Sequence, residues 1–67
     1  MSDVARVTEI SARSPIGFED AVRVGIERAT QTLRGVTSAW VKEQQVKVAD
    51  DRIVEYQVNL LVTFVLE

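Results

Sequence analysis

Residues 54–66 read VEYQVNLLVTFVL, and apolar side chains occupy every second position. A repeat of two residues is typical of a β-strand, because successive side chains point to opposite faces of a sheet. The even-numbered face is apolar throughout and comprises Val54, Tyr56, Val58, Leu60, Val62, Phe64 and Leu66. The odd-numbered face is polar at its start, where it carries Gln57, and apolar near its end, where it carries Leu61 and Val65. We therefore predict a long strand that packs one face against a core.

A second strand precedes this one, over about residues 37–49, and the segment Asp50-Asp51-Arg52 predicts a hairpin turn between them. Ala39 and Val41 share odd parity, whereas Val46 and Val48 are even. One extra residue would reconcile the two halves, as in a β-bulge. We predict this bulge within residues 43–45.

The segment before this hairpin has the pattern of one amphipathic helix. Its apolar residues recur at spacings of three and four, which is one face of a 3.6-residue repeat. They are Phe18, Val22, Ile26, Ala29 and Leu33. Ser14-Pro15 predicts the helix start, although Gly17 leaves a later start open, and Gly35 predicts the end. Gly25 lies on the apolar stripe, where it would allow a close approach to a sheet.

A short strand at residues 4–11 completes a β-α-β-β order, which predicts an α+β fold in a single domain of residues 1–67. We expect a three-stranded antiparallel sheet with one helix on one face. The helix covers only one face, and Trp40 has opposite parity to the helix-facing Val41. Trp40, Gln57, Leu61 and Val65 therefore belong to the uncovered face. An uncovered face with a Trp and several aliphatic residues usually marks an interface or a ligand site.

The composition favours an assembled protein. A chain of 67 residues buries only a modest share of its surface, so small folds often add disulfides, a metal or oligomerisation. The sequence has no Cys and no His, which excludes disulfides and thiolate or imidazole zinc sites. The net charge of −2 gives no basis for binding nucleic acid or an anionic membrane. The N-terminus lacks a signal peptide and no apolar run could span a bilayer, so we expect a soluble, cytoplasmic protein.

The sequence lacks the residues of a self-contained enzyme. Without His or Cys, mechanisms that use an imidazole base or a thiolate are excluded, and nothing places two carboxylates around a pocket. Asp50 and Asp51 could offer oxygen ligands to Ca²⁺, but two turn carboxylates are too few alone and Asp is common in turns. A metal site there would need ligands from a neighbouring subunit. We expect a binding protein.

Trp40 is the leading candidate for a functional residue. An indole on an uncovered sheet face serves either as subunit-interface filler or as a surface on which a planar ligand stacks. Gln57 lies on the same face, and its amide can donate and accept hydrogen bonds at once. That suits the edge of a heteroaromatic ring, although a polar cross-strand neighbour is the alternative.

The order of these elements resembles the dodecin family. The resemblance rests on GIERATQTLR at residues 25–34, on Trp40 in the second strand and on EYQVNLLVTFVLE at residues 55–67. It implies β-α-β-β subunits that form a hollow dodecamer with the helix outside. It also implies storage or sequestration of a flavin, either riboflavin or FMN, without turnover. In the family, isoalloxazine rings stack between symmetry-related Trp side chains and a Gln bonds the polar ring edge; those positions match Trp40 and Gln57.

Two features depart from the common family pattern. Residues 43–47 lack the Arg-Gly pair that many bacterial members carry near the hairpin, and the interval from Trp40 to Gln57 is slightly short. A shorter interval resembles dodecin-like proteins associated with calcium. The alternative is therefore a dodecin-like oligomer that binds calcium or another small ligand without flavin. Retention of both Trp40 and Gln57 favours flavin.

Overall fold

A computed structural model describes residues 2–66 of the chain. Its elements follow in the order β1 (Val4–Ser14), α1 (Phe18–Thr32), β2 (Val36–Ala49) and β3 (Arg52–Leu66). The predicted β-α-β-β order is confirmed. Met1 and Glu67, which the predicted single domain of residues 1–67 includes, lie outside the described residues.

The strand with the strictest alternation is the centre of the sheet. The strand order is β1-β3-β2, and β3 pairs antiparallel with both neighbours. The β1–β3 register runs without interruption from Val4 opposite Leu66 to Ser14 opposite Tyr56. The predicted three-stranded antiparallel sheet with one helix is confirmed, and β3 shares its backbone hydrogen bonds with two partners.

The pairing between β2 and β3 contains more irregularity than predicted. Its register shifts between Val36 and Ser38, between Val41 and Glu43, and between Lys47 and Val48. The prediction of a single bulge within residues 43–45 was therefore wrong in position and number. Parity locates a bulge only between the nearest clear apolar residues, and polar residues 42–45 give no parity signal.

The β2–β3 hairpin closes through a two-residue turn. Asp50 and Asp51 both have left-handed backbone angles, with φ of 51° and 62°. Two successive positive φ values are typical of the type I′ turn, whose twist matches that of the strands it joins. Asp tolerates this conformation better than most residues other than Gly. The turn is one residue shorter than the predicted segment 50–52, because Arg52 already pairs with Ala49.

The helix begins later than the Ser14-Pro15 signal predicts. Its first residue is Phe18 and its N-cap is Gly17, which is the later start that the sequence left open. Ser14 instead belongs to β1, which extends three residues beyond the predicted end at residue 11. Its hydroxyl accepts a hydrogen bond from the Ile16 N–H (2.9 Å), so it shapes the turn between strand and helix.

The helix also ends earlier than Gly35. Its last residue is Thr32, and Leu33 is already extended, with φ of −108° and ψ of 137°. Gly35 has a positive φ of 74°, and its carbonyl accepts a hydrogen bond from the Val65 N–H (3.0 Å). Gly35 thus turns the chain towards β2, which begins at Val36, within one residue of the predicted start at about residue 37.

The core forms between α1 and the centre of the sheet. Val58, Leu60 and Val62 of β3 are completely buried, and buried Ala21, Gly25 and Ala29 face them from the helix. Ala21 was missing from the predicted apolar stripe. A Cβ atom at Gly25 would lie 3.0 Å from both the Ala12 Cβ and the Leu60 Cδ1. The predicted role of Gly25 in bringing the helix close to the sheet is therefore confirmed.

The sheet is much longer than the helix that covers it. Both α1 and β3 have 15 residues, which amounts to roughly 22 Å of helix but roughly 50 Å of strand. The first turn of the helix reaches Tyr56, whose ring packs edge-to-face on Phe18 with centroids 5.2 Å apart. Beyond this contact, residues 47–55 form a hairpin arm without helix cover. The arm exposes Val48, Ile53 and Val54.

Ser14 also joins the end of β1 to the first turn of α1. Its hydroxyl, on a residue that is 2% exposed, donates a hydrogen bond to Asp20 Oδ2 (2.6 Å). Arg23 bonds the other oxygen of the same carboxylate. The Ser14 hydrogen bond, followed by the one from Arg23, lowers the pKa of Asp20. A carboxyl group with a lowered folded-state pKa stabilises the fold above its unfolded pKa, and that stabilisation is lost as the pH falls through the folded value.

We expect Ser14→Ala to lower the free energy of unfolding at pH 7 by about 1 kcal/mol, because the Ile16 N–H loses its acceptor. The pKa of Asp20 should rise towards its ordinary value. The difference in stability between wild type and variant should therefore shrink as the pH falls through the pKa values of Asp20, because the carboxyl group is then protonated in both proteins. Urea unfolding between pH 7 and pH 2 measures this, with Ser11→Ala as the exposed-serine control on the same strand. A difference that stays constant over this pH range would contradict the assignment.

Candidate functional site

The sheet face turned away from α1, called the open face below, carries Trp40. Trp40 pairs with Leu61 of β3, whereas its neighbours Ala39 and Val41 pair with the buried Val62 and Leu60. The predicted orientation of Trp40 away from the helix is therefore confirmed. Trp40 is 69% exposed, which makes it the second most exposed of the large hydrophobic residues after Ile16 within residues 2–66. Within one chain, the flat indole of Trp40 thus lies accessible on the open face.

Gln57 lies on the same open face, nearer to the hairpin arm. It occupies the central strand and pairs with Arg13 of β1 on one side and Gln45 of β2 on the other. The Arg13 guanidinium donates from Nε to Gln57 Oε1 (3.2 Å). Gln57 also lines a polar depression of about 150 Å³ together with Glu43, Gln44, Gln45 and Asn59. The amide is therefore held at the wall of a small recess and is partly buried.

Gln57 is one member of a connected series of polar side chains, called the polar row below. Gln57 Nε2 donates to Asn59 Oδ1 (3.2 Å), and Asn59 Nδ2 donates to Glu9 Oε2 (3.3 Å). Lys42 Nζ, at the bulge in β2, donates to the other oxygen of Glu9 (3.1 Å). The row thus crosses all three strands from Arg13 to Lys42.

The structure places Trp40 and Gln57 on one face but does not bring them into contact. Trp40 lies opposite Leu61, four residues along β3 from Gln57, which is about 13 Å along the strand. The polar row, through Asn59 and Glu9, lies between them. A ligand that touches both side chains must extend over this row or take the two residues from different copies of the chain.

The two turn carboxylates lie far from the polar row. Asp50 and Asp51 lie at the tip of the hairpin arm, and both are exposed. Within residues 2–66, no group of three or more acidic side chains is arranged to hold a metal ion. Glu9, on the open face, is already paired with Lys42. A calcium site on this chain would need additional oxygen ligands from elsewhere.

A cavity of about 630 Å³, larger than the polar depression beside Gln57, lies between α1 and β1, and neither Trp40 nor Gln57 lines it. Over residues 2–66, the chain contains no helix with the length and apolar character needed to cross a membrane. The open face remains the surface on which the predicted site residues lie.

Comparisons with known proteins agree with this architecture. The family model described as Dodecin matches residues 4–67. A dodecin from Streptomyces davaonensis is 37% identical, with 100% of this chain and 98% of that chain covered and a TM-score of 0.94. A variant of Thermus thermophilus dodecin, with a tryptophan replaced by phenylalanine, is 35% identical, with 98% of each chain covered and a TM-score of 0.92. The chain therefore belongs to the dodecin family.

A structure described as a calcium dodecin adds a different kind of relative. This calcium-chelating antigen from Mycobacterium tuberculosis is 29% identical, with 96% of this chain and 91% of that chain covered and a TM-score of 0.82. A comparison with curated protein sequences gives no match. The family is thus established by the family model and by solved structures.

The sequence did not reveal the polar row around Gln57. Parity places Gln57, Asn59 and Glu9 on defined faces of their strands, but it does not say which residues of two strands lie opposite each other. The pairing of Arg13 with Gln57 depends on the β1–β3 register. Nothing in the pattern of residues marks Arg13 as the partner of Gln57.

Proposed function

We propose that this chain is a flavin-binding protein that stores or sequesters riboflavin or FMN in a homo-oligomer, with the isoalloxazine ring stacked on Trp40 at a subunit interface. The observation that carries the proposal is the 69% exposure of Trp40 on the open face. An exposed indole offers a large planar surface that a planar aromatic ring can cover. Membership of the dodecin family supports a flavin as that ring.

The side chains present fit such a ligand. Trp40 supplies the stacking surface, and Gln57 supplies an amide with a carbonyl oxygen that has two lone pairs. One lone pair accepts from Arg13 (3.2 Å), which leaves the other for a ring N–H. A bound flavin would bring light absorption and redox capacity. The chain's own residues would bind the ring, orient its polar edge and shield it from solvent.

Assembly belongs to the same proposal. The hairpin arm, residues 47–55, leaves Val48 64% exposed and Val54 46% exposed. A chain this small gains from burying such surface against other copies. The copy number of twelve, with the helices outside, comes from the dodecin family and not from the geometry of one chain. We propose this hollow dodecamer as the assembled state.

Titration of riboflavin and FMN into flavin-free protein tests the function. We expect flavin fluorescence to be quenched at micromolar protein, because an indole stacked on the ring offers a route for de-excitation. Urea-unfolded protein at the same concentration serves as the control and should leave the fluorescence unchanged. Folded, oligomeric protein that quenches neither flavin would contradict the proposal.

Calcium is the second candidate ligand, and likeness to the Mycobacterium tuberculosis calcium dodecin favours it. In that case a copy of the chain would bind Ca²⁺ through carboxylates such as Asp50 or Asp51, completed by oxygens of a neighbouring subunit. Calorimetry with Ca²⁺ distinguishes the two functions. Heat that disappears in an Asp50→Asn, Asp51→Asn double variant, together with no flavin quenching, would favour calcium.

A further inference from the structure

The polar row has ends of fixed hydrogen-bonding character. Arg13 has only donors on its side chain, and so has Lys42. Ionised Glu9 has only acceptors. The amides of Gln57 and Asn59 lie between Arg13 and Glu9. Each amide has one donor group and one acceptor group, so it would otherwise be free to rotate by half a turn.

These ends determine the orientation of both amides. Gln57 must turn Oε1 towards Arg13, because the guanidinium cannot accept a hydrogen bond. Asn59 must turn Nδ2 towards Glu9, because the carboxylate cannot donate. The remaining Gln57 Nε2 then meets Asn59 Oδ1 (3.2 Å) as donor and acceptor. A half-turn of either amide would break two hydrogen bonds at once.

Arg13 is also available to act in this way. Among residues 2–66, the salt bridges involve Arg23 and Lys42 but not Arg13. In the described part of the chain, no carboxylate oxygen lies within 4.0 Å of the Arg13 guanidinium nitrogens. No carboxylate therefore competes with Gln57 for this donor. A hydrogen bond from a charged donor is stronger than one between neutral groups.

We propose that Arg13 is a positioning residue that presets the Gln57 amide for reading the polar edge of the flavin ring, with Glu9 fixing the other end of the row. This inference rests on the proposed flavin function. The preset amide offers its free Oε1 lone pair to a ring N–H without first losing rotational freedom. Groups that are already ordered before binding give higher affinity, because the cost of ordering them has been met in folding.

The test compares two ligands that differ at this edge. Riboflavin has a ring N–H between two carbonyls, and 3-methylriboflavin carries a methyl group there instead. Arg13→Met keeps much of the side chain's apolar length and removes its donors. We expect it to weaken riboflavin binding about tenfold, as loss of one charge-assisted hydrogen bond implies. Binding of 3-methylriboflavin should change less than about twofold, because that ligand does not use the bond.

Two further variants complete the design. Arg13→Lys keeps a charged donor and should restore most of the preference for riboflavin. Arg6→Met is the matched control on the same strand, because Arg6 pairs with Phe64 on the helix side and not with the open face. It should leave both affinities unchanged. Sedimentation of each variant checks that the assembly is intact.

The possible results separate the two proposals. A selective loss of riboflavin affinity in Arg13→Met supports the positioning role. Equal changes for both ligands, or no change, would overturn the positioning role of Arg13. The proposed flavin function would still stand if the wild-type protein quenches flavin fluorescence. Wild-type protein that binds neither ligand would overturn the function and this inference together.

Discussion

Replacing Trp40 with alanine is expected to abolish most flavin quenching and to weaken riboflavin binding on the order of 10- to 100-fold, which is the range that loss of one aromatic stacking contact implies. The effect should be large because Trp40 supplies the flat surface of the proposed site and is 69% exposed in the single chain. Titration of riboflavin into flavin-free variant, followed by fluorescence, measures the change.

Trp40→Phe is the matched comparison for this experiment. A phenyl ring keeps an aromatic face of smaller area, so affinity should fall less than with alanine. Sedimentation must show that both variants assemble as the wild type does, because Trp40 would also contribute to the subunit interface. An assembled Trp40→Ala protein with wild-type flavin affinity would contradict the stacking site.

Leu60→Ala is expected to lower the free energy of unfolding by about 2–5 kcal/mol, the usual cost of removing a fully buried leucine side chain. Leu60 is completely buried at the centre of β3, and its Cδ1 lies 3.0 Å from the position of a Cβ on Gly25. The helix already packs closely on the sheet at Gly25, so the cavity left by the missing side chain would close only if the helix backbone shifted. Urea unfolding at one fixed protein concentration measures the loss.

Val54→Ala is the control on the same strand and the same parity. Val54 lies on the hairpin arm and is 46% exposed within one chain, so the part of its loss that does not depend on protein concentration should be clearly smaller than that of Leu60. Equal concentration-independent losses for the two variants would mean that the core is not centred under α1. They would instead place the main stabilising contacts on the arm.

The elements with strict periodicity were predictable from the sequence. The alternation over residues 54–66 gave the central strand and its buried face, and the stripe from Phe18 to Leu33 gave the helix. The ends of the elements were less predictable because local signals compete with tertiary contacts. Ser14 has the chemistry of a helix cap, but in the fold it closes a strand and bonds Asp20.

The sequence was sufficient to predict which sheet face carries the candidate site, but not which side chains contact each other within that site. Parity alone put Trp40 and Gln57 on the side away from the helix. The partner of Gln57 depends on which residue of β1 lies opposite it, and a two-residue repeat has no marker for that alignment. The pairing of Arg13 with Gln57 therefore follows only from the register of the folded sheet.

The hairpin arm has a consequence for how the fold responds to dilution. Because the sheet extends beyond the helix that covers it, Val48, Ile53 and Val54 remain exposed to water until another molecule covers them. In the proposed assembly, that covering is supplied by mass action between copies and not by the chain's own tertiary structure. The melting temperature of such a protein is a function of its concentration, so the cell sets part of the fold's stability through the amount of the protein it makes.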